Sequence, residues 1–348
     1  MSGAEPDDEC GGCYNPDGSL CGMSHGKAER TSGLAALAVS TIAESIARRQ
    51  LRWGLRIAAT LPMLLLIAGC SASEFFIANA PNAFSRVERH LDIAYGSDPR
   101  QRLDVFSPPR AKGRPIVIFW YGGSWEKGRK ADYRFVGTAL AERGIVAIIP
   151  DYRLYPQVTF PAFDEDGARA VAWVEQHAGE FGGNPKHIVL MGHSAGGHTA
   201  AFLALNHAFL AKYGADPHDI SGFVGLSGTY VFVPDSDELR AAFPAPYTVN
   251  DWQPIKFVDA DSPPALLLHG LADKEVLPQE AIELRDALVA AHVPVDLELF
   301  PHRGHPDTVA SFAEVARWRT PALEDTLKFV ERVTAERAPA SRAYTASR

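Results

Sequence analysis

The stretch that decides the fold is HIVLMGHSAGGHTAAFLAL, residues 187–205. An apolar run at 188–191 leads directly into GHSAG at 192–196, and a helix-forming run follows. The apolar run predicts a strand buried on both faces, and the glycines allow a sharp turn between strand and helix. Such a turn raises the Ser194 hydroxyl above the sheet beside a helix N-terminus, which favours developing negative charge. Strand, turn and helix together predict a nucleophilic serine, although GxSxG alone is a common pattern.

Apolar runs alternate with helical patterns on both sides of this stretch. The runs at 145–149 and 265–268 are continuous, which is typical of a parallel sheet covered on both faces. We therefore expect an α/β fold with a mostly parallel, eight-stranded sheet, an antiparallel start and flanking helices. The predicted strands are Val87–Tyr95, Arg102–Phe106, Ile116–Trp120, Ile145–Pro150, His187–Gly192, Gly222–Leu226, Ala265–His269 and Val295–Phe300. The predicted helices are Tyr133–Arg143, Phe163–Glu180, Ala195–His207, Pro278–His292 and Asp307–Glu336.

A proline-rich segment at 229–264 breaks this alternation. We interpret it as a cap insertion over the strand ends, and a plain surface loop is the alternative. One domain is predicted over 86–336, and a disordered tail over 337–348.

The composition excludes several classes of protein. The 348 residues include 34 basic and 42 acidic side chains, a formal charge of −8, with 46% hydrophobic and 22% charged residues. These values exclude a collagen, a coiled coil or a largely disordered chain. An acidic chain without a basic block is a poor candidate for binding nucleic acid. All four cysteines fall in the first 70 residues, so the body of the protein must be stabilised by burial rather than by disulfides.

The first 69 residues are predicted to be a disordered leader and a signal peptide. Residues 1–32 are rich in small and acidic residues, which bury too little surface to fold. An arginine-rich stretch then precedes a thirteen-residue apolar run at 57–69, which is shorter than the roughly 20 residues that span a bilayer. Three cysteines, Cys10, Cys13 and Cys21, together with His25, are either a zinc site or a chance cluster.

The apolar run ends in Ile67-Ala68-Gly69-Cys70. This sequence resembles the lipobox of bacterial lipoproteins, and the resemblance implies cleavage before Cys70 and a diacylglyceryl group on its thiol. The mature protein would then begin with a linker, 70–85, and would be lipid-anchored in the bacterial cell envelope, facing the periplasm or the exterior. A plain signal peptide and an uncleaved hydrophobic anchor are the alternatives.

Two more segments follow predicted strands: HGLADKEV at 269–276 and PHRGHP at 301–306. Together with GHSAG they resemble the α/β-hydrolase superfamily over about residues 85–335. The resemblance is strongest to its hormone-sensitive-lipase-like, acetyl-xylan and feruloyl esterase-like, and kynurenine-formamidase-like groups. It implies a triad of Ser194, Asp273 and His305, in the chain order nucleophile, acid, base. Asp261 and Glu275 are alternative acids, and His302 is an alternative base.

The segment WYGGSW at 120–125 lies where the superfamily has its oxyanion loop. The resemblance implies an oxyanion hole built from backbone amides, with a simple strand-end turn as the alternative. The residues assigned to it are Gly122, Gly123, Ser124 and Ala195. Tyr121 stands where the superfamily usually has a histidine that anchors the loop. Residues assigned to the substrate pocket are Trp125, Tyr155 and Tyr230, with Phe160 and Phe232 as further candidates. Asp151 and Arg153, in a DYRL stretch, are expected to brace the loop.

The resemblance implies a serine hydrolase that cleaves carboxylic esters through an acyl-serine intermediate. No metal or organic cofactor is expected. The expected partners are a small-molecule ester and, through Cys70, a membrane, and the oligomeric state is left open. Two alternatives remain: an arylformamidase-type amide hydrolase, suggested by GGSW at 122–125, and a non-catalytic envelope binding protein on a hydrolase fold.

Overall fold

A computed structural model describes residues 71–335, and within them eight strands form one sheet. The strands are Glu88–Ala94 (β1), Arg102–Ser107 (β2), Arg114–Trp120 (β3), Val146–Pro150 (β4), Gly183–His193 (β5), Ile220–Leu226 (β6), Ala265–Gly270 (β7) and Val295–Phe300 (β8). Their order is β1-β2-β4-β3-β5-β6-β7-β8. The pairs β1–β2 and β2–β4 are antiparallel, and all other neighbours are parallel. The predicted mostly parallel α/β sheet with an antiparallel start is confirmed.

Burial follows position in the sheet. Every residue of β4, β6 and β7 is buried, which explains the continuous apolar runs in the sequence. The edge strands β1 and β8 contain only half-buried and exposed positions, and both carry charged residues. Charges on edge strands oppose association with the strands of another molecule.

Helices and short turns connect the strands. The α-helices of the described residues are Ser71–Asn79 (α1), Arg134–Ala141 (α2), Ala162–His177 (α3), Ala195–Leu205 (α4), His207–Lys212 (α5), Asp237–Ala242 (α6), Val249–Trp252 (α7), Pro278–Ala290 (α8), Asp307–Ala310 (α9) and Ala322–Ala335 (α10). The prediction of one helix over 307–336 is wrong, because a 3₁₀ turn at Glu314–Ala316 and non-helical residues separate α9 from α10. Pro321 contributes to this break, since a proline disfavours helical backbone at the residue before it.

The segment predicted as a linker, 70–85, is helical where the structure describes it. It contains α1 and a 3₁₀ turn at Ala80–Phe84. The Phe75 ring packs 5.0 Å from the ring of Tyr133, and the Asn79 side-chain amide donates to the carbonyls of Phe75 and Asp132 at 2.8 Å each. The contacts with Tyr133 and Asp132, in a distant part of the chain, fix a segment whose local sequence carries no strong helical pattern.

The proline-rich segment 229–264 contains α6, α7 and a 3₁₀ turn at Pro254–Phe257. The Gln253 side-chain amide donates to the carbonyls of Val231 and Phe232 at 2.7 and 2.9 Å, which ties the start of the segment to the turn after α7. Its role as a cap stays a prediction.

The sheet brings three loops to one edge. In the sheet, His193 pairs with Leu226, Leu226 with Leu268, and Gly270 with Phe300. The strands β5, β6, β7 and β8 therefore end side by side. The loops that follow β5, β7 and β8 are those that carry the three predicted catalytic residues, because the carboxyl ends of parallel strands lie at the same edge.

Several predictions fall outside the described residues. They are the leader and signal peptide at 1–69, the lipidated Cys70, the zinc cluster of Cys10, Cys13, Cys21 and His25, and the tail at 337–348. In the 71–335 portion, no helix combines the length and apolar character needed to cross a membrane.

Candidate active site

Ser194 occupies a strained turn between β5 and α4. Its φ of 55° and ψ of −124° lie outside the regions that non-glycine residues normally adopt. The Ser194 amide donates to the Leu226 carbonyl at 3.1 Å, which ties the turn to the neighbouring strand. A Cβ on Gly192 would overlap the Gly196 carbonyl, and one on Gly196 would overlap the Trp120 carbonyl. The turn therefore requires glycine on both sides of the serine.

Asp273 and His305 form a hydrogen-bonded pair at the same edge of the sheet. Asp273 Oδ2 lies 2.8 Å from His305 Nδ1, and the side chains of both residues are buried. Asp273 Oδ1 accepts from the amides of Glu275 and Val276 at 3.0 Å each. His269 Nε2 lies 3.2 Å from Asp273 Oδ2 and 2.9 Å from the Val276 carbonyl. The Asp273 carboxylate is thereby oriented towards the imidazole.

The hydrogen bonds also decide the charge of Asp273. Burial by itself raises the pKa of this carboxyl, but the hydrogen bonds from His269, His305 and the Val276 amide outweigh burial and hold the pKa below its ordinary value. Asp273 is therefore ionised throughout the neutral range, as a group that stabilises an imidazolium must be.

None of the rival residues takes the place of Asp273 or His305. Asp261 and His302 are exposed, and Asp261 lies in the turn before β7, at the opposite end of that strand. The Glu275 side chain is 75% exposed, and its carboxylate is 3.9 Å from His305 Nε2. This distance places Glu275 on the side of the imidazole away from Asp273, where it cannot replace Asp273 as the partner of Nδ1.

Two more histidines flank the serine in sequence and are buried. His193 Nε2 lies 3.1 Å from the His305 carbonyl, and the two rings are 4.7 Å apart. His198 Nε2 lies 2.7 Å from the Trp252 carbonyl. Burial lowers the pKa of His193 to about 3 and that of His198 to about 4, so both are neutral and donate from Nε2 to a carbonyl. Both residues therefore have packing roles beside the serine turn.

The loop after β3 lies against the serine turn. A Cβ on Gly122 would lie 2.8 Å from Ser194 Cβ, so only glycine allows this approach. Gly123, Ser124 and Trp125 all have positive φ, of 124°, 54° and 59°, and the amides of Glu126 and Lys127 both donate to the Gly123 carbonyl. This tight turn lies beside the close approach of Gly122 to Ser194, and the assignment of the loop to an oxyanion hole stays a prediction.

Tyr121 anchors this loop in place of the histidine that the resemblance leads one to expect. Its hydroxyl donates to Asp151 Oδ1 at 2.6 Å and accepts from Arg100 at 2.9 Å. Its ring stacks between Tyr133 and Tyr152, with centroids 5.5 and 4.9 Å away. Burial raises the pKa of Tyr121 well above its ordinary value, so the hydroxyl keeps its proton and its hydrogen bond.

Asp151 and Arg153 take structural positions. Asp151 Oδ1 also accepts from the Lys130 amide at 2.7 Å. Arg153 pairs with the fully buried Asp166, through contacts of 2.8 to 3.1 Å. Both residues thus connect the segment after β4 to its neighbours, as expected for residues that brace the loop.

Two family models match this sequence. One, described as BD-FAE, matches residues 103–219, and the other, the prolyl oligopeptidase family, matches residues 165–337. An isoprenylcysteine alpha-carbonyl methylesterase of Arabidopsis thaliana is 30% identical over 282 residues, 74% of this chain and 64% of that protein. Esterase LipC of Mycobacterium tuberculosis is 32% identical over 203 residues, 52% of this chain and 50% of that protein. The chain spans 64% or less of the length of these curated relatives.

Solved structures agree with these matches. Esterase B from Lactobacillus rhamnosis superposes with a TM-score of 0.63 at 21% identity and covers 84% of this chain and 95% of its own. Esterase 2 of Thermogutta terrifontis superposes with a TM-score of 0.60 at 25% identity and covers 72% of this chain and 95% of its own. The chain has the α/β-hydrolase fold, and its matches support a place in the esterase/lipase family of that superfamily. Its sheet order and the loops at its carboxyl edge therefore belong to a known architecture.

In this α/β-hydrolase a cavity of about 270 Å³ opens at Ser194. The cavity walls combine the serine turn, the loop after β3, segment 229–264 and the start of α8. The lining residues are Ser124, Trp125, Ser194, Ala195, Thr229, Phe232, Val233, Asp235, Leu239, Glu275, Val276, Leu277 and Glu280. Four predicted site residues, Ser194, Ser124, Ala195 and Trp125, are thus brought to one cavity, and Phe232, a further candidate, lines it too.

Other predicted pocket residues lie elsewhere. Tyr230 is fully buried, and its hydroxyl fills the space beside Gly225 and Gly228, so its assignment to the substrate pocket is wrong. The reason is that Gly225 on β6 and Gly228 in the turn after it carry no side chains, and the tyrosine fills the gap. Tyr155 is half-buried, and its amide donates to the Trp125 carbonyl at 2.8 Å, which places it behind the loop rather than among the lining residues. Phe160 is buried, and its ring packs 6.1 Å from that of Phe163 and 5.5 Å from that of Phe243, two members of the aromatic cluster described next.

An aromatic cluster lies under the cavity. Trp125 contacts Phe163, Phe232 and Phe243, with ring centroids 4.8 to 5.6 Å apart. Its ring also lies edge-on to that of His198 at 5.2 Å. This packing fixes the orientation of Trp125 at the cavity wall.

Glu280 is the lining residue whose role the sequence did not reveal. Its Oε2 accepts from the Thr229 hydroxyl at 2.7 Å and from the amides of Tyr230 and Val231 at 2.5 and 2.9 Å. One carboxylate on α8 therefore fixes the start of segment 229–264. From the sequence, Glu280 can be recognised only as an acidic residue in the first turn of a helix. Its hydrogen-bond partners lie about 50 positions away.

Proposed function

We propose that this α/β-hydrolase cleaves carboxylic esters through an acyl-Ser194 intermediate, with His305 as the base and Asp273 as its orienting acid. The observation that carries the proposal is the buried hydrogen bond of 2.8 Å between Asp273 and His305, at the sheet edge where the strained Ser194 turn opens to a cavity. Its relatives' names, methylesterase and esterase, support the same reaction.

The reaction follows from the proton affinities of these groups. His305 Nε2 takes the Ser194 proton as the oxygen attacks the ester carbonyl, because a neutral hydroxyl is a poor nucleophile. The negative charge on the former carbonyl oxygen is stabilised by the Ala195 N–H and by N–H groups of Gly123 or Ser124. His305 then returns the proton to the departing alcohol. Water attacks the acyl-serine by the same steps in reverse order and releases the acid.

The cavity favours a small acyl group. Its volume of about 270 Å³ is at or below the lower limit of typical small-molecule sites, and Trp125 and Phe232 narrow it. We expect acetyl to butyryl esters to react faster than long-chain esters.

An ordered substrate panel tests the proposal. The wild type and Ser194→Ala are compared on p-nitrophenyl acetate, butyrate and palmitate, and on N-formylkynurenine. We expect ester turnover in the wild type and a loss of at least about 10⁴-fold in kcat for Ser194→Ala. Unchanged ester turnover in Ser194→Ala would disprove the proposal. Turnover of N-formylkynurenine alone would favour the amide hydrolase, and turnover of no substrate would favour the non-catalytic binding protein.

We also propose that the mature chain is anchored to the bacterial cell envelope through a lipid on Cys70. The support is the sequence Ile67-Ala68-Gly69-Cys70 after an apolar run. Cells fed labelled palmitate should label the wild type and leave Cys70→Ser unlabelled and of higher mass, because cleavage also requires the cysteine. Equal labelling of the two proteins would exclude the anchor.

A further inference from the structure

An exposed apolar face lies at the amino-terminal end of the described chain. It consists of Phe76 and Ile77 on α1 and of Val315 and Trp318 in the segment between α9 and α10, and we refer to these four residues as the docking face. Phe76 is 76% exposed and Trp318 71% exposed. Helix α1 packs against the 3₁₀ turn Glu314–Ala316, which contains Val315 and ends two residues before Trp318. A cluster of large apolar side chains with this degree of exposure indicates an interaction surface.

The composition of the docking face matches a lipid–water boundary. The guanidinium groups of Arg303 and Arg319 lie over the Trp318 ring, 5.3 and 5.5 Å from its centroid. Tryptophan is enriched at membrane interfaces, and arginine extends its charge to the headgroups while its stem stays among apolar groups. Glu74 and Glu314 are also exposed here, so the region carries charges of both signs. Apolar insertion therefore contributes more than attraction to anionic lipid.

The docking face is connected to the mouth of the catalytic cavity. Arg303, which stacks on Trp318, stands two residues before His305, and its carbonyl accepts from the Ala272 amide at 2.8 Å. The neighbouring Leu271 is exposed, as are Val233 and Leu277 at the cavity wall. Exposed apolar side chains thus occur both at the docking face and at the entrance to Ser194.

We propose that the docking face lies on a lipid bilayer and holds the cavity mouth against it, so that the enzyme takes esters that reside in the membrane. We infer that a bilayer covers the docking face because α1 begins at Ser71, directly after the cysteine proposed to carry the lipid. An anchor at that position confines α1 to the bilayer surface. The proposal rests on the proposed ester hydrolysis and on the proposed anchor at Cys70.

The two attachments have separate effects. The lipid on Cys70 keeps the protein at the membrane, whereas the docking face fixes its orientation there. Loss of the face should leave the protein membrane-bound and active on dissolved esters, and should impair only reactions of esters held in the bilayer.

The test uses the full chain in phosphatidylcholine vesicles. Phe76→Ser/Trp318→Ser removes the docking face, and Leu91→Ser/Val289→Ser removes two exposed apolar residues on β1 and α8 as a matched control. Each protein is assayed on dissolved p-nitrophenyl acetate and on hexadecyl acetate embedded in the vesicles. The docking-face variant should lose at least about tenfold in rate on hexadecyl acetate, since each lost side chain weakens apolar insertion. Its rate on p-nitrophenyl acetate, and both rates of the control, should change less than about twofold.

The outcomes separate the proposals. Failure of every protein on p-nitrophenyl acetate would refute ester hydrolysis, whereas unimpaired hydrolysis of hexadecyl acetate by the docking-face variant would overturn membrane docking. Brominated lipids provide a second measurement, because they should quench wild-type fluorescence more than that of Trp318→Phe. Equal quenching of the two proteins would also overturn docking. If the variant keeps its hexadecyl acetate activity but sediments at a lower mass than the wild type, a second copy of the chain covers the face and docking is wrong.

Discussion

The serine turn and segment 229–264 border the same cavity but are held in different ways. The turn is fixed by steric contact, because the glycines on either side of Ser194 leave no room for a Cβ. Segment 229–264 is fixed by a few polar groups, chiefly the Glu280 carboxylate and the Gln253 amide. A position fixed by steric contact tolerates no added side-chain atom, whereas substitutions can weaken a small set of hydrogen bonds gradually. Chemistry thus depends on the first region, and we expect substrate preference to depend on the second.

The largest effect should come from filling the serine turn. Gly196→Ala places a methyl group against the Trp120 carbonyl, so the turn must distort or the strands must separate. We expect a loss of at least about 100-fold in kcat, because small misplacements of reacting groups have effects of this size, together with a lower melting temperature. Gly179→Ala is the matched control, since a Cβ there has no neighbour within 4 Å. Wild-type kinetics in Gly196→Ala would show that the turn is not sterically fixed.

The same contrast decides what could be predicted from the sequence. The serine turn and the eight strands were accessible because each depends on local patterns of glycine and apolar residues. Asp273 and His305 were assigned from the resemblance to the α/β-hydrolase superfamily, and their roles stay predictions. The assignment of Tyr230 failed because its position depends on Gly225 and Gly228 in a neighbouring strand and turn. Glu280 was missed because its role depends on partners about 50 residues away. Helix α1 was missed because contacts with Tyr133 and Asp132 fix it.

A second prediction concerns a buried carboxyl under the serine turn. Asp164 on α3 is fully buried and accepts from the Thr199 hydroxyl of α4 at 2.8 Å. Burial raises its pKa to about 7. The folded protein thus keeps a proton that the unfolded chain releases near pH 4, and this contribution to stability is lost as the pH rises from about 4 to about 7. Asp164→Asn does not ionise and should remove this loss.

The difference between the two proteins isolates Asp164 from the other titrating groups. Urea denaturation from pH 4 to pH 8 should show the wild type losing up to about 4 kcal/mol relative to Asp164→Asn, from about 1.4 kcal/mol per pH unit over roughly three units. Asp261→Asn changes an exposed carboxylate. The free energy of unfolding of this variant should change with pH in the same way as that of the wild type. His198 Nδ1 lies 3.8 Å from Asp164 Oδ1. A wild type that gains stability relative to Asp164→Asn as the pH rises would therefore mean that the two residues form a charged pair.

The smallest effect should come from segment 229–264. Glu280→Gln keeps an acceptor oxygen but removes the charge that strengthens three hydrogen bonds to residues 229–231. We expect a rise of about three- to tenfold in KM with little change in kcat, because the cavity wall loosens while Ser194, Asp273 and His305 stay in place. The expected preference for acetyl to butyryl esters over long-chain esters should narrow for the same reason. Glu283→Gln, one turn along the same helix and exposed, should leave both constants unchanged. A fall in kcat with an unaltered KM would mean that segment 229–264 acts on the chemical step, and the division between the two regions would then be wrong.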